Sequence, residues 1–133
     1  KQSEQAIALG EFLEPRVTKA GGHLLHPGLP SHPQHNLAMA QMDATGPIFA
    51  LDVGTRARAF RVLDALKLVD ISNNIGDARS LMCHPASSTH ANMGDEARAA
   101  MGVTEGLLRI NVGLEDIADL VEDMDQALAA AGI

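Results

Sequence analysis

Apolar residues return along this chain at two different spacings, and the alternation between them predicts a series of helices and short strands. From Ser3 to Leu13, the residues Ala6, Ile7, Leu9, Phe12 and Leu13 fall near helical spacing, with Ser3 as N-cap and Pro15 ending the pattern. Gly21-Gly22 marks a turn before a short strand, His23-Leu24-Leu25-His26, which Pro27-Gly28 stops. Beyond a proline-rich loop, a helix capped by Ser31 or His32 runs from Gln34 to Met42 with Pro33 in its first turn. Ile48 to Val53 is the clearest strand of the first half. Thr55 then caps a helix whose apolar stripe is Ala59, Phe60, Leu63 and Leu66.

In the second half, Leu68–Ile71 and Ser80–His84 read as strands flanking a turn-rich polar loop, Ser72 to Asp77, and Asp95–Ala100 reads as a short helix. Leu107, Leu108, Ile110 and Val112 form a further strand that Gly113 breaks. From Leu114 to Ala131 the positions Leu114, Ile117, Ala118, Leu120, Val121, Met124 and Leu128 describe one face of a long helix. Glu115, Asp116, Asp119, Glu122, Asp123 and Asp125 fall mostly on the other, where the first-turn acids complement the helix dipole. Strands separated by helices, without repeats or low-complexity linkers, predict one α/β domain over residues 1–133. It is a two-layer sandwich with a mixed, mostly antiparallel sheet and helices packed on one face.

One residue breaks the apolar pattern. Arg109 sits inside the strand Leu107–Val112, where a guanidinium needs an anionic partner or an open cleft. Its planar fork of donors suits a carboxylate bidentately, so Arg109 either recognises a ligand carboxylate or pairs with a local Asp or Glu. Burial statistics by themselves favour the local pair.

Composition narrows the function. With 46% hydrophobic residues the chain is of globular type, and at 133 residues it can bury a real core. A net charge of −7, three Phe and no Trp or Tyr argue against nucleic-acid binding. The lone Cys83 cannot form an internal disulfide and reads as strand core, which fits a reducing, cytoplasmic setting. No apolar run is long enough for a membrane span, and the opening Lys-Gln-Ser-Glu-Gln is not a signal peptide. Because the chain opens at Lys1 directly in helical periodicity, it reads as part of a longer polypeptide.

The histidine pairs His23/His26 and His32/His35 are each three apart but flank a Pro-Gly loop with no Cys, Asp or Glu between them, so no metal site is expected. Ser87, Ser88, Thr89 and His90 set hydroxyls beside an imidazole. Sequence neighbours rarely converge as a triad, so these are read as hydrogen-bonding loop residues.

Three blocks, in order, carry a family resemblance. They are His26-Pro-Gly-Leu-Pro-Ser-His-Pro33, Asn74-Ile-Gly-Asp-Ala-Arg-Ser-Leu-Met-Cys-His-Pro-Ala-Ser-Ser-Thr-His90, and Gly106-Leu-Leu-Arg-Ile-Asn-Val-Gly-Leu-Glu-Asp116. Together they resemble the C-terminal domain of the pyridoxal-phosphate-dependent Cys/Met metabolism (transsulfuration) enzymes, and the second and third look most like the O-succinylhomoserine sulfhydrylases. The first block has His26 where the family has Tyr. The resemblance implies that Arg109 binds the α-carboxylate of an amino-acid substrate. It implies that Asn74, often Ser in the family, helps hold the same carboxylate, and that Thr89 lies near the substrate. It assigns no catalytic, cofactor-binding or metal residue to this chain.

The resemblance also implies that pyridoxal 5'-phosphate is bound by a preceding large domain, through a lysine to which the cofactor is covalently attached. The only lysines here, Lys1, Lys19 and Lys67, do not resemble the family's Ser-x-Thr-Lys motif. The expectation is therefore a C-terminal substrate-binding domain, inactive alone. The whole enzyme, a cytoplasmic homotetramer, would replace the γ-substituent of an O-acyl-homoserine with sulfide to give homocysteine in methionine biosynthesis. The same domain in a cystathionine γ-synthase or a methionine γ-lyase, or a non-catalytic small-molecule binding domain, are the alternatives.

Overall fold

The computed structural model describes residues 1–133. The elements in chain order are α1 (Gln2–Lys19), β1 (His23–Leu25), α2 (His35–Gln41), β2 (Ile48–Asp52), α3 (Arg56–Ala65), β3 (Asp70–Ile71), β4 (Leu81–Cys83), α4 (Asp95–Ala100), β5 (Leu107–Asn111) and α5 (Ile117–Ala130), with a 3-10 turn at Pro85–Ser87. The strands form one five-stranded sheet in the order β1-β2-β5-β4-β3. All neighbours are antiparallel except β3 and β4. The architecture is the expected α/β one with a mixed, mostly antiparallel sheet.

Side chains alternate across a strand, so β5 sends Leu108 and Ile110 to one face and Leu107, Arg109 and Asn111 to the other. The first face carries the core. Leu108, Ile110, Phe49, Leu51 and Met82 meet Leu9, Leu13 and Val17 of α1, Ala59 and Val62 of α3, and Leu120, Met124 and Leu128 of α5, all buried. Each fully buried Leu or Met contributes about 1.5–3 kcal/mol. The second face is the one on which Arg109 stands.

Several boundaries differ from the sequence expectation, each for a physical reason. Pro15 does not end α1; the helix continues to Lys19. A proline costs only its own amide bond, here to the carbonyl of exposed Glu11, while continuing the helix buries Val17 completely. It also brings Arg16 to the Asp125 carboxylate and to the Ile133 carbonyl at 2.8 Å. Helix α1 starts at Gln2, with no side-chain cap from Ser3. In α3, Val62 takes the inward position assigned to Phe60; that ring is exposed, with Arg56 over its face and His84 against its edge. Thr55 caps α3 as expected, its hydroxyl accepting from the Arg58 amide at 3.2 Å.

The last helix begins later than its periodicity suggests. Asp116 is the N-cap, accepting from the Ala118 amide at 2.8 Å, and Leu114 is exposed. Asp123 is the main correction, because it points inward. Its carboxylate accepts from the amides of Lys67, Leu68 and Val69 at 2.8, 2.9 and 2.9 Å and from Gln126 at 3.0 Å. Burial pushes its carboxyl up in pKa, but the amides of Val69, Leu68 and Lys67 and the Gln126 side chain outweigh this and hold it below its ordinary value.

The parallel pairing of β3 with β4 decides where the site forms. Two adjacent strands running the same way force the connecting chain to return along the sheet. The segment 72–80 does so, and hydrogen bonds tie it to Arg109 and Asn111 of β5.

Candidate functional site

Arg109 occupies the middle of β5, paired across the sheet with Ala50 on one side and Cys83 on the other. Its Nη2 donates to the carbonyl of Asn73 at 2.7 Å and reaches that of Asn74 at 3.5 Å. No carboxylate of the chain lies within ion-pair distance; Arg16, Arg56, Arg79 and Arg98 have such partners, while Arg58, which donates to the Ala20 carbonyl, and exposed Arg61 do not. The local-pair reading of Arg109 is thereby removed. Nη1 and Nε have no protein partner, which leaves a half-buried guanidinium with free donors on the sheet face away from the core. A group of this kind is suited to a small anion with two oxygens in one plane.

The loop holding the guanidinium is itself fixed at several points. Gly76 adopts φ +78, a conformation that favours glycine, and its amide donates to Asn111 Oδ1 at 3.2 Å. Gln2 of α1 donates through one amide nitrogen to the Asp77 and Val112 carbonyls, both at 2.9 Å. Farther along, the Glu115 carboxylate accepts from the Ser80 amide at 2.6 Å and its hydroxyl at 2.8 Å. The Ser80 hydroxyl oxygen in turn accepts from the Gly113 amide at 2.8 Å.

Of the three residues singled out from the sequence, the structure brings two together. Asn74 meets Arg109 through its carbonyl; its side chain is exposed. Thr89 is exposed on the chain after the 3-10 turn, and its hydroxyl bonds Nδ1 of His90 at 2.8 Å rather than either of the other two. Ser87 and Ser88 are loop-ordering groups: Ser87 Oγ lies 2.7 Å from His84 Nδ1, and Ser88 Oγ donates to the His84 carbonyl at 2.7 Å. Cys83 is buried, as its surroundings suggest. Burial pushes its thiol up in pKa, against the opposing effects of the Arg109 guanidinium and the Ser88 hydroxyl.

Two participants escaped the sequence reading. Asn73, not Asn74, supplies the shorter bond to Arg109, and Asn111 links the strand to the loop. The signal for Asn111 was its position two residues after Arg109, which places both side chains on one face. For Asn73 no signal exists, because a backbone carbonyl carries no side-chain identity.

Of the histidine pairs, His26, His32 and His35 order the Pro27–Pro33 loop, while His23 is exposed on β1. His26 is fully buried, its Nδ1 accepting from the Gly28 amide at 3.0 Å and its Nε2 facing the Gly46 carbonyl at 3.3 Å. His35 Nδ1 lies 2.9 Å from the Pro27 carbonyl. Nowhere do three His, Cys, Asp or Glu side chains gather as metal ligands would. No helix is long and apolar enough to cross a membrane.

Residues 1–129 match the family model described as Cys/Met metabolism PLP-dependent enzyme. The chain belongs to that family. An O-succinylhomoserine sulfhydrylase of Mycobacterium tuberculosis is 54% identical over 109 residues, 78% of this chain and 27% of that protein. An L-methionine gamma-lyase of Pseudomonas putida is 45% identical over 130 residues, 95% of this chain and 31% of that protein. Among solved structures, the cystathione gamma lyase CalE6 of Micromonospora echinospora superposes with a TM-score of 0.86 at 42% identity, covering 96% of this chain and 33% of that one. The chain thus spans about a third of the length of the relatives it matches.

Pyridoxal phosphate is the cofactor of the family, but the residues of this chain do not fit it. Lys1 is spent on the Leu114 carbonyl at 3.3 Å. Lys19 sits on the surface beside Arg16 and the C-terminus, and Lys67 lies among Asp119, Glu122 and Asp123, whose charges repel a phosphate. None is an enclosed lysine with phosphate donors around it.

Proposed function

We propose that these 133 residues form the substrate-carboxylate-binding part of a pyridoxal-phosphate-dependent O-succinylhomoserine sulfhydrylase, which replaces the γ-substituent of an O-acyl-homoserine by sulfide. The observation that carries the reading is Arg109: a half-buried guanidinium with no carboxylate partner in its own chain and free Nη1 and Nε donors. In this role the fork takes the two oxygens of the substrate α-carboxylate. Asn74 borders the anion; Thr89, exposed and bonded to His90, does not reach it in this chain and is left near the substrate only by the family resemblance. Fixing the carboxylate fixes the direction of the bonds at Cα, which is where orientation lowers the barrier.

The sulfhydrylase reading is supported by the 54% identity over 109 residues to the mycobacterial enzyme; a second sulfhydrylase, of Pseudomonas aeruginosa, is 42% identical, against 45% for the methionine lyase. The cofactor lysine lies outside these residues, in the large domain of the same polypeptide, and the whole protein is a cytoplasmic homotetramer. The segment by itself therefore turns over no substrate.

The test is steady-state kinetics of the whole protein with O-succinyl-L-homoserine and sulfide. Losing a charge-assisted bidentate contact in Arg109→Ala is expected to lower kcat/KM by about two orders of magnitude, with KM raised. Unchanged kcat/KM would show that Arg109 is not the clamp.

A further inference from the structure

Arg109 and Asn111 stand two residues apart on one strand, on one face, and grip the same loop at different points. Arg109 takes its N-terminal part through the Asn73 and Asn74 carbonyls. Asn111 takes the next part, its Oδ1 accepting from the Gly76 amide at 3.2 Å and its Nδ2 donating to the Asp77 carbonyl at 3.5 Å. Asn111 is 1% exposed, so its amide cannot exchange these partners for water.

We propose that Asn111 is a positioning residue for carboxylate recognition, acting through the loop to set the direction of the Arg109 guanidinium; the inference rests on Arg109 being the clamp. The carbonyls of Asn73 and Asn74 determine which of the guanidinium donors are consumed and therefore which edge of the fork faces the ligand. Those carbonyls are held where they are by the bend at Gly76, whose positive φ is stabilised by the bond to Asn111. Gln2 donates to the same Asp77 carbonyl at 2.9 Å, so releasing Asn111 frees the 73–76 portion while the loop stays attached at Asp77. The predicted defect is therefore in aim, not in folding. Asn111 touches no reacting atom.

The experiment is a double-mutant cycle in the whole protein, with O-succinyl-L-homoserine and sulfide as substrates. Asn111→Leu keeps the shape of the side chain and removes both hydrogen bonds; Asn111→Ser, smaller and with one hydroxyl, is run beside it in case the first does not fold. In the parent background each is expected to lower kcat/KM, about tenfold for Leu, with the larger part in KM. In an Arg109→Ala background the same substitution is expected to change kcat/KM by less than about twofold, because nothing remains to be aimed. Equal losses in both backgrounds would assign Asn111 a general structural role and overturn the proposal. So would an unchanged KM in the parent background. If Arg109→Ala alone leaves kcat/KM intact, the clamp reading fails first, and the positioning role falls with it.

Discussion

The guanidinium of Arg109 donates to the backbone carbonyl of Asn73 at 2.7 Å, and it is this carbonyl, not a carboxylate, that holds the charge in place. The distinction matters for binding. A carboxylate partner would neutralise the arginine and compete with an incoming anion, whereas a neutral carbonyl orients the group and leaves its charge available. The oligopeptide that supplies it crosses there because β3 and β4 run parallel.

Asp123 ties the chain between α3 and β3 to α5. Asp123→Ala strands three amide donors and is expected to destabilise the protein by about 3 kcal/mol, read from denaturant unfolding. Because its folded carboxyl lies below the ordinary value of 3.8, its contribution is complete above that pH and is lost as pH falls through the folded value. The stability gap between parent and Asp123→Asn should therefore narrow under strongly acidic conditions; a gap independent of pH would contradict the assignment.

His26 makes a separate acid sensitivity, in a higher pH window. Burial lowers its pKa, against the pull of the Gly46 carbonyl, and His32 lowers it further. The neutral ring is the folded form, with Nδ1 accepting from Gly28. A group depressed below its ordinary 6.5 contributes stability that is whole above that pH and declines as pH drops towards the folded value. Melting temperature should fall with pH in that window for the parent and fall less for His26→Gln.

Gly113 is required by close approach. A Cβ there would strike the Ala78 carbonyl, the Arg79 backbone and the Glu115 carboxylate, all at the C-terminal anchor of the loop that reaches Arg109. Backbone cannot step aside as a flexible side chain can, so Gly113→Ala should cost about 1–3 kcal/mol by overpacking. Chemical denaturation measures it, and a neutral substitution would mean that the anchor is looser than described.

The strand order and the parallel pair were not legible in the sequence, yet the element types were, because β2 and β5 are short apolar runs bounded by turn residues and α5 repeats with helical period. What failed was local. Pro15 looked like a stop because a missing amide is visible in the sequence, while the burial of Val17 that outweighs it is tertiary. Asp123 looked like one more acid on a charged face, although its spacing from Leu120, Met124 and Ala127 already set it on the buried stripe. Arg109 was conspicuous as a charge in an apolar strand, but whether it had a partner depended on a segment whose path only the sheet topology determines.

Carboxylate recognition by Arg109 is tested by comparing O-succinyl-L-homoserine with its α-carboxamide analogue on the whole protein, in the parent and in Arg109→Ala. If Arg109 grips the α-carboxylate, the parent prefers the carboxylate substrate by about two orders of magnitude in kcat/KM, and Arg109→Ala loses most of that preference. A preference that survives intact in Arg109→Ala would place carboxylate recognition elsewhere and show that Arg109 is not the clamp.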